Sequence, residues 1–207
     1  MNLSTLSPTQ LDTLKEVSNI GMGHAATALS RMLRTRIDLR VPRIALVEIG
    51  DIPELVGGAE AEVAGVRLAM NGSARGTMLL IFPGDSARDL LARLLGGRAA
   101  EPLDEMGVSA LKEVGNILGS AYLVALGGLL GLPLLPSVPQ LAWDMAGAVL
   151  DQVIAELGAA GERALLIETE FHGEASLPEV LHGHFLILPD PATLEAIFAG
   201  TAGGRPI

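Results

Sequence analysis

The stretch DTLKEVSNIGMGHAATALSRML, from Asp12 to Leu33, decides the fold because the chain carries it twice. The second copy, SALKEVGNILGSAYLVALGGLL, runs from Ser109 to Leu130. Six of eight consecutive positions agree where both copies read LKEV and then carry Asn and Ile. Two unrelated amphipathic helices do not agree to this extent, so the repeat indicates an internal duplication.

Both copies place three polar side chains at the same spacing. These positions are Asp12, Glu16 and Asn19 in the first copy and Ser109, Glu113 and Asn116 in the second. In a helix, at about 100° per residue, each triplet falls within an arc of about 60°. The apolar residues of both copies cluster on the opposite side. The pattern therefore predicts two long helices, each with a polar triplet that faces outward.

Composition limits what such a face can do. The 207 residues are 49% hydrophobic, which is enough to bury a sizeable core. The chain has no cysteine, so disulfides, thiolate metal sites and cysteine nucleophiles are excluded. A net charge of -10 disfavours nucleic acid and anionic membranes as partners. The first residues lack the basic and apolar regions of a secretory signal, so we expect a cytoplasmic protein.

The remaining sequence predicts the same order of elements in each half: long helix, strand, two hairpin strands, short helix. In the first half we predict a helix from Ser7 to Arg34, a strand from Ile44 to Ile49, a hairpin turning near Gly72 and Ser73, and a helix from Asp85 to Leu95. In the second half we predict a helix from Asp104 to Leu130, a strand after Pro139, the hairpin strands ERALLIETEFH and VLHGHFLILP, and a helix from Asp190 to Gly200. The stretch GDIPELVGG is predicted as a loop, and GAVLDQVIAELGA as a strand leading into a short helix without counterpart in the first half. Residues 1–207 are thus predicted to form one domain of two repeats, at about 7–97 and 104–200.

Residues 117–143 carry no charge and are long enough to be considered as a membrane span. Glycines and prolines interrupt the run, and it lacks flanking basic clusters. The first copy carries Arg31 and Arg34 in the aligned region. We interpret the run as a buried helix followed by a buried strand and expect no membrane insertion.

The asparagine in the middle of both predicted helices needs a reason. Asn is unfavourable inside a helix because its side chain competes for backbone hydrogen bonds. A carboxamide can accept one hydrogen bond and donate another, so it can orient a water molecule as a nucleophile. A nearby glutamate can pair with a lysine of a partner. Because positioning and electrostatics supply most of the catalysis in phosphoryl transfer, the repeated Glu–Asn pairs are candidate catalytic residues.

The full spacing is Asp or Ser, three residues, Glu, two residues, Asn, twenty-two residues and Pro. It occurs at Asp12, Glu16, Asn19 and Pro42, and again at Ser109, Glu113, Asn116 and Pro139. This pattern resembles the signature of the CheC, CheX and FliY family of chemotaxis phosphatases, and the two copies and the length are most similar to CheC. His24 departs from that family, in which Asn is common at this position, and we expect it to pack or cap rather than catalyse.

The resemblance implies a pseudo-twofold α/β (α+β) fold in which two long helices lie over an antiparallel sheet. It implies hydrolysis of the aspartyl phosphate of a CheY-type response regulator. Asn19 and Asn116 would orient the attacking water, while Glu16 and Glu113 would contact the receiver's lysine. The receiver brings its own Mg²⁺, so no metal site or cofactor of the chain's own is expected. The deamidase CheD is implied as a further candidate partner.

Two other functions fit the same residues. One is a binding module, either a CheD regulator or a flagellar switch component, that docks a phosphorylated receiver with little turnover. The other is a small-molecule phosphatase with Mg²⁺ held by Asp12 and Glu16. His182 and His184 share a predicted strand face at a spacing compatible with metal, but we identify no carboxylate partners for them in the sequence. We expect no metal at this pair.

Overall fold

The structure, a computed structural model, describes residues 7–97, 103–157, 163–173 and 181–202. Its helices are α1 (Pro8–Leu33), α2 (Ile52–Leu55), α3 (Gly84–Leu94), α4 (Glu105–Leu130), α5 (Ala146–Leu157) and α6 (Pro191–Ala202), and a 3-10 turn spans Ile49–Asp51. Its strands are β1 (Ile37–Arg40), β2 (Ile44–Glu48), β3 (Glu62–Gly72), β4 (Gly76–Pro83), β5 (Leu134–Pro136), β6 (Gln140–Met145), β7 (Arg163–Gly173) and β8 (Leu181–Pro189).

Side chains at the N-terminal ends fix where the two long helices begin. Before α1, the Ser7 hydroxyl accepts a hydrogen bond from the Gln10 amide (3.3 Å), and the Gln10 side chain accepts one from the Ser7 amide (2.9 Å). Before α4, the Asp104 carboxylate accepts a hydrogen bond from the Gly107 amide (2.8 Å). Each helix is 26 residues long, which confirms the two long helices predicted from the repeat.

The eight strands of the described ranges form one antiparallel sheet in the order β1-β7-β8-β4-β3-β5. β2 also pairs with β7, and β6 also pairs with β3. The order reads the same when the two halves are exchanged, and the registers agree: Glu48 lies opposite Arg163, and Met145 lies opposite Glu62. The first strands of each half thus complete the sheet of the other half. The duplication itself, with repeats at about 7–97 and 104–200, stays a prediction.

The sheet has a hydrophobic core on each face. α1, α3, α4 and α6 share the larger core with one face of the sheet, and Tyr122 and Phe185 meet there edge to face at 5.3 Å. The smaller core on the other face joins the 3-10 turn and α2 to α5, with Ile52 and Leu150 buried between them and the strands. This confirms the predicted architecture of two long helices packed on an antiparallel sheet.

Three predictions about the connecting segments are wrong. Residues 50–55 of GDIPELVGG belong to the 3-10 turn and α2, and residues 147–157 of GAVLDQVIAELGA lie in α5, without a strand. α5 therefore has a counterpart, because α2 and α5 follow equivalent strands and contact each other. The sequence pattern missed α2 because four residues span little more than one helical turn and show no periodicity. The short β1 and β5 were missed for the same reason, and α6 continues beyond Gly200 to Ala202.

Within the described residues, one helix is long and apolar enough to cross a membrane by length and composition alone, and it is α4. Half of the relevant window is buried against the rest of the protein. Leu111, Val114 and Leu118 on its inner face belong to the larger core. α4 therefore has the environment of a core helix, as the interrupted apolar run predicts.

Candidate active site

The first triplet lies on the solvent side of α1. Asp12, Glu16 and Asn19 are exposed, while Leu14 and Val17 between them are buried. None of the three polar side chains makes a hydrogen bond or ion pair within the described part of the chain. A carboxylate and a carboxamide about one helical turn apart are therefore available to a partner. The predicted outward orientation is confirmed for this copy, whereas the catalytic role stays a prediction.

The second triplet lies on the corresponding side of α4 but is less open. Ser109 and Glu113 are exposed, whereas Asn116 is half-buried. The preceding residue, Gly115, lies close to β3, because a Cβ atom there would be 2.4 Å from Cγ1 of Val66. Glycine thus lets α4 lie directly on β3. The outward orientation is confirmed for Ser109 and Glu113 and only partly for Asn116.

The residues that flank the two triplets differ in polarity. On α4, the side chains of Met106 and Val124 are 55% and 63% exposed. The equivalent positions of α1, 97 residues earlier, hold Thr9 and Thr27. We did not identify Met106 and Val124 as site residues from the sequence. A position-by-position comparison of the two copies beyond the polar triplets would have found them.

The two prolines of the motif lie in equivalent connections. Pro42 precedes β2, and Pro139 precedes β6. In both cases the connection separates two short strands that pair with the same neighbour, β7 for the first pair and β3 for the second. Proline suits this position because it cannot donate a backbone hydrogen bond to continue the ladder. The structure therefore gives both prolines a local role at the sheet edges.

The histidines on the hairpin strands do have carboxylate neighbours, so the expectation from sequence is wrong on this point. Glu170 lies opposite His182, and Glu168 lies opposite His184, across the β7–β8 pair. Glu168 is held by Arg43, with 3.0 Å between its Oε1 and the Arg43 Nη1. Burial is the main cause that lowers the pKa of His184, and the charge of Glu168 opposes it. The sequence alone does not give these pairs, because the register between two strands depends on contacts that are distant in sequence.

No group of three or more His, Asp or Glu side chains in the described ranges is arranged to hold a metal ion. Asp12 and Glu16, the pair considered for Mg²⁺ in a small-molecule phosphatase, belong to no such group of three in these ranges. The expectation that His24 packs or caps is wrong, because His24 is exposed and makes no hydrogen bond in the described part of the chain.

Two long helices over an antiparallel sheet form a fold that solved chemotaxis and flagellar proteins share. The structure of Thermotoga maritima FliY superposes with a TM-score of 0.78 at 20% identity and covers 97% of this chain and 99% of that chain. The CheX–CheY–BeF3–Mg²⁺ complex of Borrelia burgdorferi contains a similar chain, with a TM-score of 0.51 at 18% identity over 82% of this chain and 96% of that chain. These likenesses establish the fold.

Sequence comparison identifies the family within that class. The model of the CheC-like family matches residues 10–46, which contain the first motif. CheY-P phosphatase CheC of Bacillus subtilis (strain 168) is 39% identical over 193 residues, which are 91% of this chain and 92% of the relative. The chain belongs to the CheC family, of which this CheY-P phosphatase is a member.

Proposed function

We propose that this chain is a cytoplasmic protein aspartyl-phosphate phosphatase that acts on the phosphorylated receiver of a CheY-type response regulator. The observation that carries the proposal is the Glu–Asn pair that occurs on both long helices and has no partner within the described part of the chain. The family membership supports it, because the B. subtilis relative is a CheY-P phosphatase. A structure of CheX with CheY also exists for a protein of the same fold.

The proposed chemistry is an in-line displacement at phosphorus. Asn19 or Asn116 accepts a hydrogen bond from a water molecule and directs its oxygen at the phosphoryl group. The bond from the water oxygen to phosphorus forms as the bond from phosphorus to the receiver's aspartyl oxygen breaks. The water protons stay with the phosphate product or pass to solvent, and the aspartate leaves as a carboxylate. No residue of this chain has to act as a base.

Glu16 and Glu113 hold the receiver in place for this step. Each lies three residues before the asparagine, so it projects from the same side of its helix one turn away. In the proposal each carboxylate contacts the lysine of the receiver's active site, and the Mg²⁺ in the reaction belongs to the receiver. CheD is a second candidate partner, implied by the family resemblance.

A docking module with little turnover is the alternative that a structural observation favours. Asn116 is half-buried, and exposed Met106 and Val124 flank its helix face. An exposed apolar flank contributes binding energy without chemistry. The α4 face could therefore hold a receiver or a flagellar switch component and leave catalysis to the α1 face.

Phosphate release from a phosphorylated CheY-type receiver tests the proposal. We expect the intact chain to accelerate the release well above the receiver's own rate. The variant with Glu16, Asn19, Glu113 and Asn116 all changed to Ala should leave the receiver's own rate unchanged. It should still fold, because none of the four side chains makes a hydrogen bond or ion pair in the described part of the chain.

A matched control changes exposed carboxylates outside both faces, Glu54→Ala with Glu195→Ala, and should keep full activity. Equal release by the intact chain and the quadruple variant would overturn the phosphatase proposal. Retained binding of the receiver without acceleration would then establish the docking alternative.

A further inference from the structure

An open groove of about 850 Å³ lies between the C-terminal half of α1 and β1. It begins at Gly23, about one helical turn beyond Asn19, and extends past the end of the helix to Arg40. The groove is therefore separate from the first Glu–Asn pair, although both lie on α1. Neither the motif nor the proposed chemistry uses it.

The groove meets β1 at the edge of the strand. Successive side chains of a strand point to opposite faces, yet all four residues of β1 line the groove. Among the described strands β1 pairs with β7 alone, so its other edge faces the groove. At the start of this edge the Ser30 hydroxyl accepts a hydrogen bond from the Ile37 amide (2.9 Å) and donates one to the Ile37 carbonyl (3.3 Å), so both backbone groups of Ile37 are paired. From Asp38 to Arg40 no other backbone group of the described ranges pairs on that side.

The groove is also strongly basic. Arg31, Arg34, Arg36 and Arg40 line it, and Asp38 is the one carboxylate among the lining residues. Asp38 pairs with Arg36 at 3.6 Å, both being well exposed. Arg31, Arg34 and Arg40 have no ion pair within the described part of the chain. Such a concentration stands out in a protein with a net charge of -10 and 14 Lys and Arg residues in total.

The equivalent edge in the second half is built differently. β5 begins after Pro133 and ends at Pro136, and proline has no N–H to offer to an added strand. Residues 117–143, which include this edge, carry no charge. One edge is therefore blocked by proline, whereas the other is open and carries arginines. The arginines at the β1 edge repel the same edge of another copy of the chain, but they attract a segment of negative charge.

We propose that this groove binds an extended acidic segment of a protein partner, which adds to β1 as a further strand. The backbone of the segment pairs with the β1 edge beyond Ile37. Its carboxylates pair with the arginines that line the groove, Arg31, Arg34, Arg36 and Arg40. The proposal does not depend on the proposed phosphatase activity, because its readout is peptide binding.

The test uses a fluorescently labelled eight-residue peptide of alternating glutamate and valine, titrated with the full chain at low salt. We expect saturable binding that weakens about tenfold in Arg34→Glu/Arg40→Glu, since attraction becomes repulsion at two positions. Arg75→Glu is the matched control: it reverses an exposed charge in the β3–β4 turn, outside the groove, and should bind the peptide as the intact chain does. Thermal unfolding of each variant checks that the fold is kept, and Arg34→Gln/Arg40→Gln replaces the reversed pair if that pair unfolds.

A second peptide separates strand addition from charge attraction. It replaces every valine by proline, which keeps the glutamates but removes the N–H groups of alternate residues. We expect it not to bind. Equal binding of the two peptides would overturn the strand addition. Failure of the glutamate–valine peptide to bind, or equal binding by the intact chain and the Arg34→Glu/Arg40→Glu variant, would overturn the site.

Discussion

α1 and α4 are helices of the same length with the same motif, but they pack against different parts of the protein. Both are 26 residues long, and equivalent positions are 97 residues apart along their whole length. On the face of α4 that meets the sheet, Gly115 and Gly119 lie against side chains of β3, and a Cβ atom at Gly119 would be 3.4 Å from Leu68 Cδ2. The equivalent residues of α1 are Ser18 and Met22, which are larger.

α1 packs partly against α4. Tyr122 is fully buried, and its ring lies edge-on against Phe185 of the sheet. A Cβ atom at Gly21 would be 3.1 Å from the Tyr122 Cα, so the two helices cross closely there. Burial raises the pKa of Tyr122, and the nearby Ser18 hydroxyl of α1 opposes this shift. The equivalent of Tyr122 in the first copy is Ala25.

This difference shows that a motif determines which side chains share a helix face but not how exposed those side chains are. Glycines draw α4 onto β3, and we attribute the half-buried state of Asn116 to this close approach. α1 makes its main contacts with α4 and β1, and Asn19 is exposed. The two centres therefore present the same chemical groups at different depths.

The largest effect is expected from Gly115→Ser, which gives α4 the residue that α1 has. The added Cβ would overlap Val66 Cγ1, which lies only 2.4 Å from the ideal Cβ position. We expect the free energy of unfolding to fall by about 1–3 kcal/mol because the packed interface has to shift. Chemical denaturation of the purified variant measures this loss.

The same substitution at Gly128 is the matched control for Gly115→Ser. Gly128 lies on the exposed side of the same helix, and a Cβ atom there would meet no atom within 4 Å. Gly128→Ser should be neutral or slightly stabilising, since glycine is unfavourable inside a helix. If the two serine variants changed the free energy of unfolding equally, the close support of α4 by β3 would not explain the difference between the helices.

A smaller effect is expected from making the flanks of the two triplets alike. We expect Met106→Thr/Val124→Thr to raise KM for the phosphorylated receiver about three- to tenfold when α4 is the only working centre, in the Asn19→Ala background. In the Asn116→Ala background, where α1 is the working centre, the same pair should change nothing. Steady-state phosphate release in both backgrounds makes the comparison.

The outcome also tests the docking alternative. If Asn19→Ala alone abolished acceleration, α4 would be a docking face rather than a second catalytic centre. If the Met106→Thr/Val124→Thr pair raised KM equally in both backgrounds, the exposed apolar flank would not belong to the α4 centre. The Asn19→Ala/Asn116→Ala double variant gives the background rate of phosphate release in the assay.

The sequence predicts this fold well where the pattern is long and poorly where it is short. The 26-residue helices follow from the periodicity of the repeated stretch. The exchange of strands between the halves does not, because register depends on contacts distant in sequence. The exposure of Glu16 and Glu113 follows from helical spacing, whereas the half-buried state of Asn116 does not, because no local pattern reveals how closely α4 approaches β3.

The smallest prediction concerns the C-terminal ends of the two helices. Arg34 has φ 53°, and the equivalent Gly131 has φ 67°, so both residues adopt the left-handed conformation. Glycine adopts it without steric cost, whereas a residue with a Cβ atom does so at a cost of about 1 kcal/mol. Arg34→Gly should therefore stabilise the protein by about 0.5–1 kcal/mol in chemical denaturation.

Gly131→Ala tests the same difference from the opposite direction. A Cβ atom at Gly131 would meet nothing within 4 Å, so the backbone conformation alone should destabilise this variant, by about 1 kcal/mol. A loss of stability in Arg34→Gly would mean that the arginine side chain contributes more at the end of α1 than its backbone conformation costs. That result would assign Arg34 a structural role beside its place in the basic groove, and the acidic peptide would then have to be tested with Arg36→Glu/Arg40→Glu instead.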